Sequence, residues 1–442
     1  MQGYKNNDIE WIGSIPSDWK LDKIKYIANL YGRIGWQGLT SEEYIDEGPF
    51  LVTGVDFCKG RIDWNSCVHI SEKRWEQADK IQIKNEDLLI TKDGTVGKVA
   101  IVSDLNGKAS LNSGVLLIDL KDKNSKKYLY WVLCSDVFWT WFNYKNSGNS
   151  TILHLYQKDF SEFIYTLPVL EEQKLIGDFL DKKCSEIDSV IKKIEKQISL
   201  LKDYKKSLII ETVTKGLNRN VSMKYSGVEW IGEIPKHWTI NRLRYLVDFK
   251  TGGTPSEKFG IDIEGDYPWI TASDIKSYYI QSFQQYISEE AVSLCNYKIF
   301  PENTILIVCI ASIGKIGISK CKSYSNQQIT ALYNTLCNER FLLYSIIQQI
   351  DKIRLDASSS VVPIINTSYL KDIYIGMPQE RKEQIEIADF LDKKCSEIDS
   401  VISKKERQLN LIRKHRKSLI YEYVTGKKRV GGVDNGNSRR ST

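Results

Sequence analysis

The sequence lacks the hallmarks of several protein classes. No run of eighteen apolar residues is present, so no transmembrane helix is predicted, and the first residues, MQGYKNNDIEWIG, lack the charged and apolar regions of a signal peptide. The nine cysteines form no C-x-x-C pair, and the four histidines, His69, His154, His237 and His415, are far apart. These patterns indicate neither a disulfide framework nor a metal site, and we expect structural histidines in a cytoplasmic protein.

Motifs of common enzymes are also missing. The 442 residues contain no G-x-x-x-x-G-K-[ST] phosphate loop, no G-x-S-x-G elbow, no H-E-x-x-H and no methyltransferase-like Asn-Pro-Pro-aromatic or Asp-Pro-Pro-aromatic run. The net charge of +6 is too small for a purely electrostatic nucleic-acid binder, although it allows a basic face on a balanced surface. With 42% hydrophobic and 27% charged residues, the chain is predicted to be globular, and the missing motifs give little support for catalysis.

What the sequence does have is a long repeat. DFLDKKCSEIDSVI runs from Asp178 to Ile191 and returns letter for letter from Asp389 to Ile402. Each copy lies in a proline-free segment of the same length, 48 residues, from Pro168 to Gly216 (216 − 168) and from Pro378 to Gly426 (426 − 378). Apolar residues recur at alternating spacings of 4 and 3, the heptad pattern of a coiled coil. Each segment is predicted to be one helix about 65 Å long.

The positions that follow this spacing form the heptad seam of the two helices. The seam comprises Leu180, Cys184, Ile187, Ile191, Ile194, Ile198, Leu201, Lys205 and Leu208 in the first helix, and Leu391, Cys395, Ile398, Ile402, Lys405, Leu409, Ile412, Arg416 and Leu419 in the second. A single stripe of this kind would also suit an ordinary amphipathic core helix. Two copies of equal length favour pairing within the chain, with antiparallel favoured over parallel because a domain-sized stretch separates them.

A second repeat opens each half of the chain. IEWIGSIPSDW (Ile9 to Trp19) returns as VEWIGEIPKHW (Val228 to Trp238), and we call these the opening motifs. The tandem duplication predicts an α+β fold: two α/β globular domains separated by two long antiparallel coiled-coil helices, with pseudo-two-fold symmetry. The predicted boundaries are 1–167 for the first globular domain, 168–216 for the first helix, 217–227 for a linker, 228–377 for the second globular domain, 378–428 for the second helix and 429–442 for a disordered tail.

Within the globular domains the residues differ while the pattern of elements persists. EDLLITKDGTVGKVAIV, from Glu86, and NTILIVCIASIGKIGIS, from Asn303, each predict a strand, a tight turn with Gly-Lys and a second strand. PFLVTGVDF and YPWITASDI predict further strands, and helices are predicted over Lys126–Asn143 and Glu339–Ile353. Asp93 is replaced by Ile310 at the matching position, which argues against a nuclease carboxylate there.

Candidate binding residues lie on the turns. Lysine and hydroxyl groups beside glycine permit close approach of a phosphate backbone, and Asn or Gln amides can bond adenine. The predicted DNA-contacting residues are Lys92, Thr95, Gly97, Lys98, Asn112, Ser113 and Asn149 in the first half and Thr254, Ser312, Gly314, Lys315, Asn326, Gln327 and Gln328 in the second. Solvated hairpin turns would have the same composition, and the loops SGNST and ASSSV are equally compatible with simple linkers.

The ordered pieces, each in duplicate, resemble the DNA-specificity subunit (HsdS) of type I restriction-modification systems. The resemblance rests on the opening motifs, the strand pairs with Gly-Lys, the helix starts TLPVLEEQKLIGDFLD and GMPQERKEQIEIADFLD, and the helix ends with KSLI. It covers nearly the full chain. The second helix start departs from the first, QERKEQ against VLEEQ, which leaves its register open by one residue.

The resemblance implies a non-catalytic subunit. Each globular domain would be a target-recognition domain for one half of a split, asymmetric DNA site, and the helices would set the spacing and dock two adenine-methyltransferase (modification) subunits. Restriction (endonuclease-translocase) subunits would join this core. No cofactor is implied for this chain, with S-adenosylmethionine and ATP/Mg expected on the partners. Two alternatives remain open, a stand-alone nuclease or methyltransferase and a protein-binding scaffold.

Overall fold

The structure, a computed structural model, describes residues 3–33, 39–121, 124–147, 153–254, 265–294, 299–357 and 362–431. The chain divides into two compact units: unit 1 comprises Met1–Glu195 with Arg407–Thr442, and unit 2 comprises Lys196–Glu406. Each unit therefore holds one globular domain and part of both long helices. No helix in the described ranges is long and apolar enough to cross a membrane.

Unit 1 consists of short strands and helices, the first part of a helix of 46 residues and the last part of a second long helix of 44 residues. Its strands are β1 (Tyr4–Lys5), β2 (Ile15–Pro16), β3 (Lys20–Lys23), β4 (Ala28–Gly32), β5 (Ile45–Val52), β6 (Phe57–Cys58), β7 (Arg61–Ile62), β8 (Val68–His69), β9 (Gln82–Ile83), β10 (Leu88–Thr91), β11 (Val99–Ile101), β12 (Ala109–Leu111), β13 (Val115–Leu120) and β14 (Ile164–Leu167). Its helices are α1 (Ile24–Ile27), α2 (Glu72–Glu76), α3 (Lys126–Leu133), α4 (Asp136–Lys145), α5 (Gln157–Ser161) and the start of α6 (Leu170–Lys215).

The main sheet of unit 1 is antiparallel, with strand order β11-β10-β13-β4. A second sheet has the order β8-β5-β12-β9, in which β12 pairs parallel with β5. The central strand β10 is buried on both faces: Leu88 and Ile90 lie in the core that includes α3 and α4, and Leu89 lies in a second core that includes β12. Since successive side chains point to opposite faces and both faces are buried, the first three residues of this strand are all apolar.

Unit 2 has the same kinds of elements. Its strands are β15 (Met223–Tyr225), β16 (Glu233–Pro235), β17 (Thr239–Arg242), β18 (Asp248–Thr251), β19 (Tyr267–Ile270), β20 (Tyr279–Ile280), β21 (Tyr286–Ile287), β22 (Thr304–Val308), β23 (Ile316–Ser319), β24 (Tyr324–Ser325), β25 (Ile329–Tyr333) and β26 (Tyr374–Met377). Its helices are α7 (Glu289–Leu294), α8 (Glu339–Ile347), α9 (Ile350–Asp356), α10 (Thr367–Lys371) and the start of α11 (Arg381–Val424).

The sheets of unit 2 repeat those of unit 1. The main sheet has the order β18-β25-β22-β23-β20, and β19 pairs parallel with β24 in the second sheet, as β5 does with β12. The central strand β22 again divides its side chains, with Ile305 and Ile307 in one core and Leu306 and Val308 in the other. The predicted duplication of a mixed α/β domain is confirmed, as are the predicted strand-turn-strand pairs β10–β11 and β22–β23.

Helices α6 and α11 run antiparallel, as ion pairs inside each unit show. In unit 1, Arg416 donates to Asp188 through Nε (2.8 Å) and Nη2 (3.1 Å). In unit 2, Lys205 Nζ lies 2.6 Å from Asp399 Oδ2. Positions in the two helices correspond at an offset of 211 (389 − 178), so these are the same pair in duplicate. A second duplicated pair is Arg413 with Glu195 at 2.7 Å and Lys202 with Glu406 at 3.6 Å.

The apolar seam is covered along its whole length. Leu180, Ile194, Ile198, Leu391, Ile398, Ile402 and Leu409 are buried, and Ile187, Ile191, Leu201 and Ile412 are half-buried. The basic interruptions Lys205 and Arg416 are also half-buried, and each bonds an aspartate of the facing helix. The predicted antiparallel coiled-coil pair is confirmed.

Each opening motif closes on one end of both long helices. In unit 1, Trp19 Nε1 donates to Glu172 Oε2 at the start of α6 (3.0 Å), and a Cβ built on Gly426, after α11, would lie 3.0 Å from the Trp19 ring. The unit 2 counterparts are Trp238, Glu383 (3.0 Å) and Gly216. Both glycines have φ of +71°, so each combines a left-handed helix end with close approach of tryptophan.

The starts of the two long helices are in register. Gln173 accepts from the Ser125 backbone N–H (2.9 Å) and donates to the Pro168 carbonyl (2.8 Å). Gln384 makes the same bonds with Asn338 and Pro378, at 2.8 and 2.9 Å. The two glutamines are 211 residues apart (384 − 173), so the second helix start carries no shift.

Two predicted helices are wrong in extent, because each is two helices. The helix predicted over Lys126–Asn143 is interrupted at Ser135, whose Oγ donates to the Val132 carbonyl (2.6 Å) and accepts from the Val137 N–H (3.2 Å) as the cap of α4. The helix predicted over Glu339–Ile353 is interrupted at Gln349, whose amide accepts from Trp230 Nε1 (3.1 Å) and donates to the Tyr374 carbonyl (2.7 Å).

The connecting segments also differ from expectation. Met223–Tyr225, within the predicted linker, form β15 and pair with β16. Arg429, within the predicted tail, bonds Asp18 and lies 3.0 Å from Glu172. Residues 432–442, Asn149 and most of the SGNST and ASSSV loops lie outside the described residues.

The buried seam predicts the effect of a charge at Ile194, which is 5% exposed. We expect Ile194→Asp to cost at least about 2 kcal/mol, because the new carboxylate would be buried without a partner. The midpoint of thermal unfolding should fall by several degrees. Ser189→Asp, at an exposed position of the same helix, is the control and should leave the midpoint unchanged; equal midpoints for the two variants would contradict the seam.

Candidate nucleic-acid interface

A four-residue loop follows β5 and its counterpart β19. In unit 1, Asp56 accepts hydrogen bonds from the Thr53 backbone N–H (2.7 Å) and hydroxyl (2.8 Å). In unit 2, Asp274 accepts the same two bonds from Thr271, both at 2.8 Å. Both aspartates are almost fully buried. The sequence T-x-x-D therefore imposes one loop conformation in both domains, and we call it the TxxD loop.

The Gly-Lys turn of each strand pair is tied to the TxxD loop. Lys98 Nζ donates to the Gly54 carbonyl at 3.1 Å, and Lys315 Nζ donates to the Ala272 carbonyl at 2.9 Å. The glycines before them, Gly97 and Gly314, have φ of +80° and +85°. Thr95 and Ser312 are exposed on the same turns, and Thr95 Oγ1 donates to Gly54 (3.1 Å). An ammonium group has three N–H donors, so both lysines brace the loop and retain donors for a phosphate.

The predicted base-contacting amides lie on a third duplicated turn, which we call the amide turn. It spans 112–114 in unit 1 and 326–328 in unit 2, and its last carbonyl accepts from the backbone N–H of Lys92 (2.8 Å) or Cys309 (2.8 Å). The exposed residues of this turn differ, Ser113 in unit 1 and Gln327 in unit 2. The two turns share their backbone path and present different side chains.

The side chain of the asparagine that begins each amide turn forms hydrogen bonds within that turn. Asn112 Oδ1 accepts from the Ser113 N–H at 2.6 Å. Asn326 Oδ1 accepts from the Gln328 N–H (3.1 Å), and its Nδ2 donates to Gln328 Oε1 (3.2 Å). Thr254, also predicted to contact DNA, bonds Gln327 through its hydroxyl. These asparagines hold the turn, which leaves Gln327 as its most exposed amide.

The positions beside the amide turn differ most in chemistry between the domains. In unit 1, Asp93 Oδ2 accepts from Lys92 Nζ at 2.6 Å, and Asp93 Oδ1 lies 2.8 Å from His154 Nδ1. Burial raises the pKa of Asp93, but the hydrogen bonds from Lys92 and His154 outweigh burial and hold the pKa below its usual value. Asp93 is therefore an ionised acceptor at neutral pH.

The same place in unit 2 is apolar. The Leu155 N–H donates to the Lys92 carbonyl (2.9 Å), and the Ile365 N–H donates to the Cys309 carbonyl (2.8 Å), so these chain segments correspond. The residues that replace Asp93 and His154 are Ile310 and Ile364, which form an antiparallel bridge. A hydrogen-bonded polar pair in one domain is thus exchanged for an apolar pair in the other.

Sequence reasoning found the lysine and amide turns and missed two features. The TxxD loop could have been found from the sequence, because TGVD and TASD occur at corresponding places in the predicted strands PFLVTGVDF and YPWITASDI. The pair of Asp93 and His154, 61 residues apart, follows no motif, and His154 was expected to be structural.

A family model of the type I restriction modification DNA specificity domain matches residues 16–200 and 235–411. The chain belongs to this family. Each matched range covers most of one repeat, so the TxxD loop, the Gly-Lys turn and the amide turn of each unit and each copy of the shared helix block lie within a match.

Relatives that match over most of this chain are type I restriction enzyme specificity subunits. The putative type I restriction enzyme MjaX specificity subunit of Methanocaldococcus jannaschii is 26% identical over 97% of this chain and 99% of its own length. The MjaVIII specificity subunit of the same organism is 27% identical over 98% and 99%. The EcoBI specificity subunit of Escherichia coli is 24% identical over 70% and 64%.

Solved structures share the fold of this chain. A chain from a study of complex assembly and conformational transition in a type I R-M system gives a TM-score of 0.73 at 14% identity, covering 94% of this chain and 99% of that chain. The HsdS subunit of Thermoanaerobacter tengcongensis gives a TM-score of 0.51 at 14% identity, covering 94% and 98%.

The buried hydrogen bonds of the TxxD loop predict that replacing its aspartate lowers the stability of the protein. Asp56→Ala would leave the Thr53 N–H and hydroxyl without their buried acceptor, which costs about 1–3 kcal/mol. We expect a lower midpoint of thermal unfolding, and the same for Asp274→Ala in unit 2. Asp46→Ala, at an exposed position of β5, is the control. A loop that tolerated both replacements would show that these hydrogen bonds do not hold it.

Proposed function

We propose that the chain is the DNA-recognition subunit of a type I restriction-modification complex and that each domain recognises one half of a split, asymmetric site. One observation carries the proposal. The hydrogen bonds within the TxxD loop, the bond from the Gly-Lys turn to that loop and the backbone bond to the last carbonyl of the amide turn recur in both units, while the exposed side chains differ. A common frame with different exposed groups suits two different base sequences.

Positive charge near these turns supports contact with the DNA backbone. In unit 2, Lys276, Lys315 and Arg354 line one depression of about 330 Å³. Arg354 Nε donates to the Ile313 carbonyl of the Gly-Lys turn at 3.1 Å, which fixes the guanidinium beside Lys315. Clustered lysine and arginine side chains of this kind bind phosphates and position a duplex without selecting its sequence.

Exposed apolar residues on the long helices favour docking of two modification subunits. Val190 and Val401, and likewise Leu200 and Leu411, are exposed apolar residues at equivalent positions. Unit 1 contains Val190 of α6 with Leu411 of α11, and unit 2 contains Leu200 of α6 with Val401 of α11. The same apolar pair therefore occurs once in each unit, on helices that are otherwise highly charged. One such pair of exposed apolar residues in each unit suits two copies of one partner.

The catalytic steps are assigned to the partner subunits. The sequence carries no phosphate loop and no methyltransferase motif, so we place S-adenosylmethionine on the modification subunits and ATP/Mg on restriction subunits. Both long helices cross from one unit into the other without a break, which suits a role in setting the number of base pairs between the half-sites.

Substitutions in the amide turn of unit 2 test whether each domain recognises its own half-site. Replacing Asn326, Gln327 and Gln328 with alanine should change the preferred bases of one half-site and leave the other intact, with each lost base contact worth about 1–3 kcal/mol. Methylated sites in DNA from cells that carry the variant with its modification subunits provide the readout. Lys98→Ala is the control for phosphate contact and should lower methylation without altering the motif. A change in both half-sites would disprove the two-domain model.

The exposed apolar residues at these equivalent positions predict where the modification subunits bind. We expect Leu200→Glu together with Leu411→Glu to reduce co-purification of modification subunits at least tenfold, because burial of each leucine would be lost in the complex. The thermal midpoint of the chain alone should not change, since both leucines are exposed. Gln408→Glu, one turn from Leu411, is the control. Normal assembly of the double variant would place the partners elsewhere.

A further inference from the structure

His154 and Asp93 lie at the surface beside the amide turn of unit 1. Their side chains are 39% and 34% exposed. A Cβ built on Gly114, the last residue of the turn, would lie 3.8 Å from the Asp93 Cβ. The imidazole therefore stands next to a turn that the proposed function places against base edges.

The hydrogen bonds of Asp93 decide which ring nitrogen of His154 carries a proton. An ionised carboxylate only accepts, so the bond at 2.8 Å requires a proton on His154 Nδ1. In the neutral imidazole the other nitrogen, Nε2, is then an acceptor. Lys92 holds the second carboxylate oxygen, which fixes the orientation of Asp93.

An acceptor at this place selects a donor on the DNA. In the major groove the exocyclic amino groups of adenine and cytosine are donors, whereas guanine presents only acceptors and thymine presents an acceptor and a methyl group. In unit 2 the matching residues offer no hydrogen bond from their side chains, and Ile364 is 54% exposed. An exposed isoleucine suits the thymine methyl group.

We propose, on the basis of the proposed function, that His154 contacts the amino group of an adenine or cytosine in the first half-site and that Asp93 is its positioning residue. In the second half-site, Ile310 and Ile364 contact a thymine methyl group. The exchange of the two pairs between the domains is then an exchange of base specificity. A purely structural role for the Asp93–His154 bond is the competing account, and it predicts no change of base preference.

The test exchanges the pair in the complete complex. Asp93→Ile with His154→Ile transfers the unit 2 pair into unit 1, and the readout is the methylated motif in DNA from cells that also carry the modification subunits. We expect one base pair of the first half-site to change from a preference for adenine or cytosine to one for thymine, by on the order of tenfold. The second half-site and the other positions of the first should be unchanged. An unchanged motif, or changes at several positions, would overturn the proposal.

Single replacements separate positioning from contact. Asp93→Asn can pair with either tautomer of His154, so discrimination should relax at the same base pair, and Asp93→Glu should restore it in part. His154→Gln keeps a polar group near the place of Nε2 and should alter preference at that base pair alone; it remains informative if the double replacement fails to fold. Retention of the wild-type motif by both Asp93→Asn and His154→Gln would overturn the assignment.

The motif methylated by the wild-type complex shows whether a negative result contradicts this proposal or the proposed function on which it rests. If the wild-type complex methylates no split motif, the proposed function fails. If it methylates such a motif and the variants keep it, only the roles of His154 and Asp93 fail.

Discussion

Pairing of the two long helices is the constraint on which the remaining structure depends. A heptad seam of this length cannot be covered by the residues that flank it, so α6 requires α11. Charge decides the direction. In a parallel pair in register, Asp188 would face Asp399 and Lys205 would face Arg416, which repel. Antiparallel pairing converts both into attractive contacts, at 2.8 Å between Arg416 Nε and Asp188 Oδ1 and at 2.6 Å between Lys205 Nζ and Asp399 Oδ2.

The features that could be predicted from the sequence are those set by local pattern or by repetition. The heptads, the opening motifs and the strand pairs around Gly97 and Gly314 are of this kind, and the structure has them. The interruption at Gln349 was not predictable, because a buried amide that bonds Trp230 and Tyr374 overrides helix propensity. Candidate contact residues could be proposed from composition, but the bonds of Asn326 within its own turn depend on the fold.

The two domains show how a recognition surface can change without loss of the fold. The bonds that hold each loop, such as those of Asp56 and Asp274, are buried, and removing either partner leaves an unsatisfied polar group. Exposed residues such as Ser113 and Gln327 have no such constraint. Substitution at exposed positions costs little stability, so new base preferences can arise on an unchanged frame.

The composition of unit 1 has a consequence for synthesis of the protein. Its core combines Ile176 and Leu180 with Ile420 and Val424, and the Tyr128 hydroxyl donates to the Val424 carbonyl at 3.0 Å. This core cannot close until the ribosome has made nearly the whole chain, whereas unit 2 is one continuous stretch from Lys196 to Glu406. The first domain to emerge is therefore the last to be completed. During that interval the nascent chain exposes the apolar face of α6, and exposed apolar surface of this kind favours aggregation and chaperone binding.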